Sequence, residues 1–222
     1  MELLEAIRCR HSVRQYTDRP IPAEILAELQ EETAACNREG GLHIQLAADE
    51  PEAFQGILAH YGSFRGVRNY WALIGPKGPD LDEKLGWYGE RLVLKAAQLG
   101  LDTCWVALTF RRGKCRCAAA PGEKLVCVVA LGYGVTHGVP HKSKPMEALC
   151  KTDGEMPAWF RSGMEAALLA PTTTNQQKFL LTLDKNAVQA EATGGFYSKV
   201  DLGIVKYHFE IGAGTDHFTW KT

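Results

Sequence analysis

Apolar residues recur along this chain with two periods, and the periods divide it into helices and strands. Leu3, Leu4 and Ile7 share one helical face between glutamates, which predicts a short amphipathic helix ending near Arg8. Pro20-Ile21-Pro22 interrupts the chain. Ala23 to Ala35 then reads as a helix with Ile25, Leu26 and Leu29 on its apolar face, and Gly40-Gly41 breaks it. Leu42 to Ala47 alternates and predicts a strand, followed by a helix over Pro51–Tyr61. Asn69 to Gly75 predicts a strand closed by Gly75-Pro76 and Gly78-Pro79. The longest helical pattern is Leu81 to Leu99, with Leu85, Tyr88, Leu92 and Ala96 near one face and Gly100 as its stop. Thr103–Leu108 and Leu125–Gly132 read as strands joined by a basic loop holding Arg111, Arg112, Lys114 and Arg116. His137 to Pro145 reads as a linker. Beyond it the pattern predicts a helix (Met156–Leu169), a strand (Phe179–Leu183), a helix (Val200–Ile211) and a final strand (Asp216–Trp220).

The order of these elements suggests an internal pseudo-duplication. Ile21–Ala48 aligns without gaps on Met156–Leu183, placing Pro22 on Pro157, Ala23 on Ala158, Ala35 on Ala170 and Leu46 on Leu181. The shared order of proline, helix, loop and strand carries this reading better than the few identities do.

Composition narrows the function classes. At 222 residues and 45% hydrophobic, the chain can bury a substantial core, as one large domain or two small ones. With 25 basic and 26 acidic residues it carries no excess charge for a nucleic-acid partner. No apolar run approaches the ~18 residues of a membrane span, so no membrane partner is expected. The seven cysteines are odd in number and irregular in spacing, which points to buried thiols in a reducing, cytoplasmic compartment. Cys115 and Cys117 lack a second ligand pair, so no metal site is expected.

Two short stretches carry candidate chemistry. Arg10-His11-Ser12-Val13-Arg14 offers fixed positive charge, an imidazole and a hydroxyl, which suit a phosphate monoester. Ala170-Pro171-Thr172-Thr173-Thr174-Asn175-Gln176-Gln177 offers a bend and a run of small polar side chains, which suit the edge of a polar heterocycle. Alone, the first could be a solvated basic turn and the second an ordinary helix-stopping loop. Gly132-Tyr133-Gly134 follows a strand, but the next glycine is Gly138 and no clear helix follows, so it is not read as a dinucleotide loop.

Both stretches resemble motifs of the FMN-dependent nitroreductase family. There, an Arg-Arg/His-Ser-x-Arg/Lys segment holds the flavin phosphate and ribityl chain, and a Pro-Ser-x-x-Asn segment meets the flavin across a subunit interface. Gly100-Leu101-Asp102-Thr103-Cys104-Trp105-Val106-Ala107 is similar to the family's Gly-Leu-Gly-Thr-Cys-Trp-Ile-Gly signature. Leu125–Gly134 resembles its late strand, and Lys142-Ser143-Lys144 its following Lys-x-Arg pair. The C-terminal half resembles the single-chain branch first defined by thermophile nitroreductases.

The resemblance implies an α+β, three-layer sandwich: a central mixed, mainly antiparallel sheet flanked by helices. Residues 1–150 would form the first half with the phosphate cradle, and 151–222 the half that supplies the Pro-Thr-Thr-Thr-Asn loop. FMN would be held by Arg10, His11, Ser12, Arg14, Lys142 and Lys144. Asn69, with Arg68 beside it, would meet the pyrimidine, a backbone amide of Ala107 or Leu108 would face flavin N5, and Pro171, Thr172, Thr173 and Asn175 would close over the ring. Gln177 is a weaker candidate. The family often has glycine where Ala107 stands. No catalytic side chain is implied, since the flavin is the catalyst. The implied activity is hydride transfer from NAD(P)H to a nitroaromatic, quinone or similar small acceptor, by a monomer (a pseudo-dimer) or a homodimer. The alternative is a flavin-binding module without efficient turnover.

Overall fold

The computed structural model describes residues 1–221. The elements run α1 (Leu3–Cys9), α2 (Ala23–Gly40), β1 (Gln45–Ala47), α3 (Ile57–Tyr61), β2 (Asn69–Pro76), α4 (Leu81–Gln98), β3 (Asp102–Val106), β4 (Glu123–Gly132), β5 (Cys150–Thr152), α5 (Ala158–Ala167), β6 (Phe179–Asp184), β7 (Ala187–Ala192), α6 (Ser198–Ala213) and β8 (Thr219–Trp220). The class is α+β, with helix-flanked sheets. The strands form two separate four-stranded sheets, ordered β1-β2-β4-β3 and β5-β6-β7-β8. The first is wholly antiparallel. In the second, β6 and β7 are antiparallel, while β5 and β8 add in parallel at the edges.

Most boundaries follow local chemistry. α2 runs past Ala35 to Gly40 and stops at Gly41, whose φ of 63° only glycine adopts readily. The single helix expected over Pro51–Tyr61 is instead a 3₁₀ turn (Glu52–Phe54) and the five-residue α3, divided at Gly56 with φ 94°. β3 ends at Val106, two residues short of expectation. β5 and β7 were not expected. β7 (Ala-Val-Gln-Ala-Glu-Ala) has little β-branched or aromatic character, so its register comes from its two neighbours rather than from its own residues. The order proline, helix, strand recurs as Pro22–α2–β1 and Pro157–α5–β6, but the two sheets are paired differently, and the fold gives duplication no further support.

The chain divides into two compact units. One comprises residues 9–81 and 91–140. Its core lies on one face of the antiparallel sheet, where Tyr70, Ala72, Ile74, Val128, Ala130 and Cys104 pack with Phe54, Phe64 and Phe110. On β2, Trp71 is fully buried and its indole N–H donates to Thr33 Oγ1 of α2 at 3.0 Å.

The other unit comprises residues 1–8, 82–90 and 141–222. Its centre is α6, buried along nearly its whole length. Glycines bring helix backbones close on two sides of it. A Cβ on Gly203 would stand 2.0 Å from the Glu83 carbonyl oxygen, and one on Gly212 would stand 2.5 Å from that of Ser162. His208 of α6 and Glu90 of α4 are both fully buried, with Nε2 2.9 Å from Oε1. The other ring nitrogen, Nδ1, lies 3.1 Å from the Ala166 carbonyl oxygen, so the imidazole is held between α4 and α5 at both nitrogens.

Candidate functional site

In the unit of residues 9–81 and 91–140, the Arg10–Arg14 segment is pinned by backbone bonds to the sheet and its loops. Ser12 bridges to Thr103 of β3, and the Val13 amide donates to the Thr103 carbonyl at 3.0 Å. The Arg65 amide donates to the Arg14 carbonyl at 3.0 Å, and the Val135 amide to that of Gln15 at 2.8 Å. Tyr16, just downstream, is buried and its hydroxyl donates to the Val13 carbonyl at 2.7 Å. Three pieces of chain thus hold a five-residue segment that has no regular structure of its own, and a fourth holds Gln15 next to it.

This pinning gathers Arg10, Ser12 and Arg14 around Cys104 of β3. Burial pushes the Cys104 thiol up, against the opposing pull of Arg14, Ser12 and Arg10. The thiol therefore stays neutral and adds no negative charge to the cluster. Arg10 is only 7% exposed, whereas Ser12 and Arg14 are exposed. The Arg14 guanidinium lies over the Phe64 ring, 5.7 Å from its centre. His11 is half-buried against Gly138, where φ is +78° and a Cβ would stand 2.7 Å from His11 Cβ. The missing side chain lets the Gly138 backbone pack closely against His11 and the Ser12 carbonyl. Two guanidiniums, a hydroxyl and an imidazole beside a neutral thiol fit a phosphate monoester in donor chemistry.

The other expected residues of this unit lie at strand ends. Asn69 opens β2, and its Oδ1 accepts from the Asp49 amide at 3.1 Å. It lines a cleft of about 350 Å³ with Tyr16, Arg19, Asp49, Arg68 and Leu131, and Arg68 pairs there with Asp49. Ala107 and Leu108 follow β3 directly, the first half-buried and the second exposed. Ala107 does not have a left-handed backbone, so replacing the family's glycine brings no strain at this position.

In the other unit, Lys142 and Lys144 join the Pro171–Gln177 loop in one network. The Asn175 and Gln177 side-chain amides both donate to the Lys142 carbonyl at 2.9 Å. The Lys144 ammonium donates to the carbonyls of Gln176 (2.8 Å) and Gln177 (3.1 Å), and its amide donates to Gln177 Oε1 at 2.7 Å. Two of three ammonium hydrogens are thereby used. Thr174, Asn175 and Gln177 all have positive φ, of 50°, 54° and 46°. Left-handed backbone at a non-glycine residue costs roughly 1–2 kcal/mol, less for Asn, so the network is what sustains this shape.

The sequence gives no sign of the loop's main anchor, Asp201. It is buried in the first turn of α6 and accepts from the Thr173 backbone amide (2.9 Å), the Thr173 hydroxyl (3.0 Å) and the Gln176 side-chain amide (2.7 Å). Only an acidic residue early in a helix could have marked it. Burial raises its carboxyl above the usual value, against those hydrogen bonds. The folded protein thus holds this proton more tightly than the unfolded chain. Its contribution to stability is fully present below about pH 4 and is lost as pH rises through the raised value. Melting curves of wild type and Asp201→Asn between pH 4 and 7 should show the wild type losing ground to the variant. A gap that moves the other way would mean that burial does not dominate at Asp201.

Among the described residues, no helix is long and apolar enough to cross a membrane, and no cluster of three metal-ligating side chains occurs. No curated protein gives a significant sequence match. Solved structures do match. The chain superposes on a "putative nitroreductase" of Thermotoga maritima with a TM-score of 0.69 at 20% identity, covering 96% of this chain and 83% of that one. A "putative nitroreductase in complex with FMN" from Desulfovibrio desulfuricans gives 0.54 at 20% identity, over 71% of this chain and 99% of the other. A "putative NADH dehydrogenase/NAD(P)H nitroreductase" of Parabacteroides distasonis gives 0.51 at 19% identity, over 66% and 95%. The family model described as "Putative TM nitroreductase" matches residues 2–213. With nearly its whole length matched, the chain belongs to this nitroreductase family.

Proposed function

We propose that the protein is an FMN-dependent oxidoreductase that passes hydride from NAD(P)H to a nitroaromatic, quinone or similar small acceptor. The observation that carries this reading is the pinning of the Arg10–Arg14 segment against β3, with Arg10 buried, Ser12 and Arg14 exposed and Gly138 packed close against His11. The FMN in the Desulfovibrio structure supports it, since that chain shares the fold. Arg10 and Arg14 would neutralise the phosphate, with Ser12 donating its hydroxyl and His11 lying along the ribityl chain; in the other unit, Lys142 and the remaining hydrogen of Lys144 are cations of the kind a phosphate takes. Asn69 would hold the pyrimidine edge through the amide hydrogens that its bond to Asp49 leaves free for donation. A main-chain amide of Ala107 or Leu108 would orient the ring at N5. Pro171, Thr172, Thr173 and Asn175 would present a polar lip, shaped by Asp201 and the Lys142 carbonyl. Bound FMN supplies the hydride acceptor and donor, and the chain supplies position and charge. On this reading residues 1–150 carry the phosphate cradle and 151–222 the closing loop, in a cytoplasmic monomer or homodimer.

The purified protein should be yellow and release FMN, not FAD, on denaturation, as read by its visible spectrum and the mass of the released flavin. It should also oxidise NADH or NADPH when a quinone is added. A colourless protein that FMN cannot reconstitute would sink the assignment. Bound flavin without turnover would instead favour a binding module.

A further inference from the structure

α3 is amphipathic the wrong way round. Its small Ala59 is 1% exposed and packs in the core, while Ile57, Leu58 and Tyr61 are 87%, 50% and 85% exposed. Ile57 and Tyr61 are one turn apart and share a face. An ordinary surface helix would bury these three and expose the alanine. Gly56 allows the reversal: its φ of 94° redirects the chain between the 3₁₀ turn, which buries Phe54, and α3. The described chain leaves Ile57 and Tyr61 almost fully exposed and Leu58 half exposed, and exposed apolar groups concentrated like this mark contact surfaces.

The adjoining segment is basic. The Arg111 amide donates to the Ala53 carbonyl at 2.7 Å, and a Cβ on Gly56 would meet the Arg111 side chain at 3.8 Å. One on Gly62, just after α3, would meet Thr109 at 2.6 Å. The 108–118 segment therefore lies against α3, and its Leu108 is also exposed, at 61%. It contains Arg111, Arg112, Lys114 and Arg116 and no acid. Across residues 52–62 and 108–118 there are four Lys or Arg and one carboxylate, Glu52, in a chain whose net charge is −1. Arg112 is turned to the Leu125 and Val126 carbonyls and Lys114 pairs loosely with Glu52 at 3.4 Å, while Arg111 and Arg116 are exposed.

We propose that α3 and the 108–116 loop form a peripheral docking surface for anionic lipid, with Ile57, Leu58 and Tyr61 entering the interface and the cations facing the headgroups. Projecting apolar side chains flanked by cations suit a lipid interface better than a small molecule, which needs a concavity. A surface contact needs no spanning segment, so the lack of one does not oppose it.

Co-sedimentation of the full chain with vesicles tests this, at about 0.1 M salt, using pure phosphatidylcholine or a mixture with phosphatidylglycerol. Wild type should pellet with the anionic vesicles only, and added salt should release it. Removing two cations by Arg111→Gln with Arg116→Gln should weaken partitioning by roughly 25-fold, at about fivefold per cation. The pair Ile57→Ser with Tyr61→Ser should weaken it at least tenfold. These side chains project into solvent, so melting temperature and flavin content should stay at wild-type levels, which separates this test from that of the flavin assignment. No pelleting of wild type with anionic vesicles would overturn the proposal, as would pelleting that neither pair reduces. A dimer that both pairs split, without lipid binding, would reassign the surface to a second copy of the chain.

Discussion

Gly203→Val should lower the melting temperature of the protein by roughly 6–12 °C. Gly203 of α6 packs on the first half of α4, where a Cβ would stand 2.0 Å from the Glu83 carbonyl oxygen and 2.7 Å from the Trp87 amide nitrogen. The contact is reciprocal, since a Cβ on Gly86 would stand 2.0 Å from the Val200 carbonyl oxygen. These neighbours are helix backbone, which cannot turn aside as a flexible side chain can. Relief requires the two helices to part. That would loosen the Lys206–Glu83 pair at 2.7 Å, the Trp87 indole donation to Glu210 Oε2 at 2.8 Å and the Trp87–Tyr207 edge contact. Overpacking commonly costs about 1–3 kcal/mol, and backbone collision belongs at the upper end or beyond. For a chain of this length each kcal/mol moves the midpoint by about 2–4 °C. Gly113→Ala is the control: it sits without positive φ and with nothing within 4 Å of the added carbon, so it should melt like wild type. If Gly203→Val melted within about 2 °C of wild type, the close crossing of α4 and α6 would be wrong.

What could be read from sequence was what neighbours in the chain decide. α4 was legible because Leu85, Leu92 and Ala96 share a face and Gly100, with φ +76°, ends the run. β2 and β4 were legible because both are long and apolar, being buried along most of their length. The Arg10–Arg14 segment was legible as chemistry for the same local reason, although its surroundings were not. The arrangement of the strands in two sheets depends on pairings across long stretches of chain, such as β5 with β6, and no period reports those. Asp201 was missed because it meets Thr173 from 28 residues away. Lys144 read as a cation for phosphate, yet it also caps two loop carbonyls, a use that depends on left-handed turns invisible in composition. At α3 the pattern gave a single helix over Pro51–Tyr61, but Gly56, with φ 94°, divides it and turns Ile57 and Tyr61 outward.

Arg10→Ala should weaken FMN binding about tenfold to over a hundredfold. Arg10 is almost wholly buried, yet its charge acts on the Cys104 thiol, as does that of Arg14, while the Ser12 hydroxyl acts there as a hydrogen-bond partner. A guanidinium stays charged when buried, so the fold keeps a fixed cation where a phosphate would need one. A charge-assisted hydrogen bond contributes roughly 1.5–3 kcal/mol, and each 1.4 kcal/mol is a factor of ten in affinity. Ser12→Ala removes a neutral donor and should cost only about fivefold. Arg10→Lys keeps the charge but loses the planar fork, so it should fall between wild type and alanine. The reading is a titration of flavin-free protein by quenching of FMN fluorescence. It should be paired with melting curves of the flavin-free variants, because loss of a buried side chain also costs packing. A fall in affinity that tracks the fall in melting temperature across all three variants would mean that Arg10 only supports the fold. Equal affinity in wild type and Arg10→Ala would remove Arg10 from the site. A graded loss in the order alanine, lysine, wild type, larger than any graded loss of stability, is what a phosphate-holding guanidinium should give.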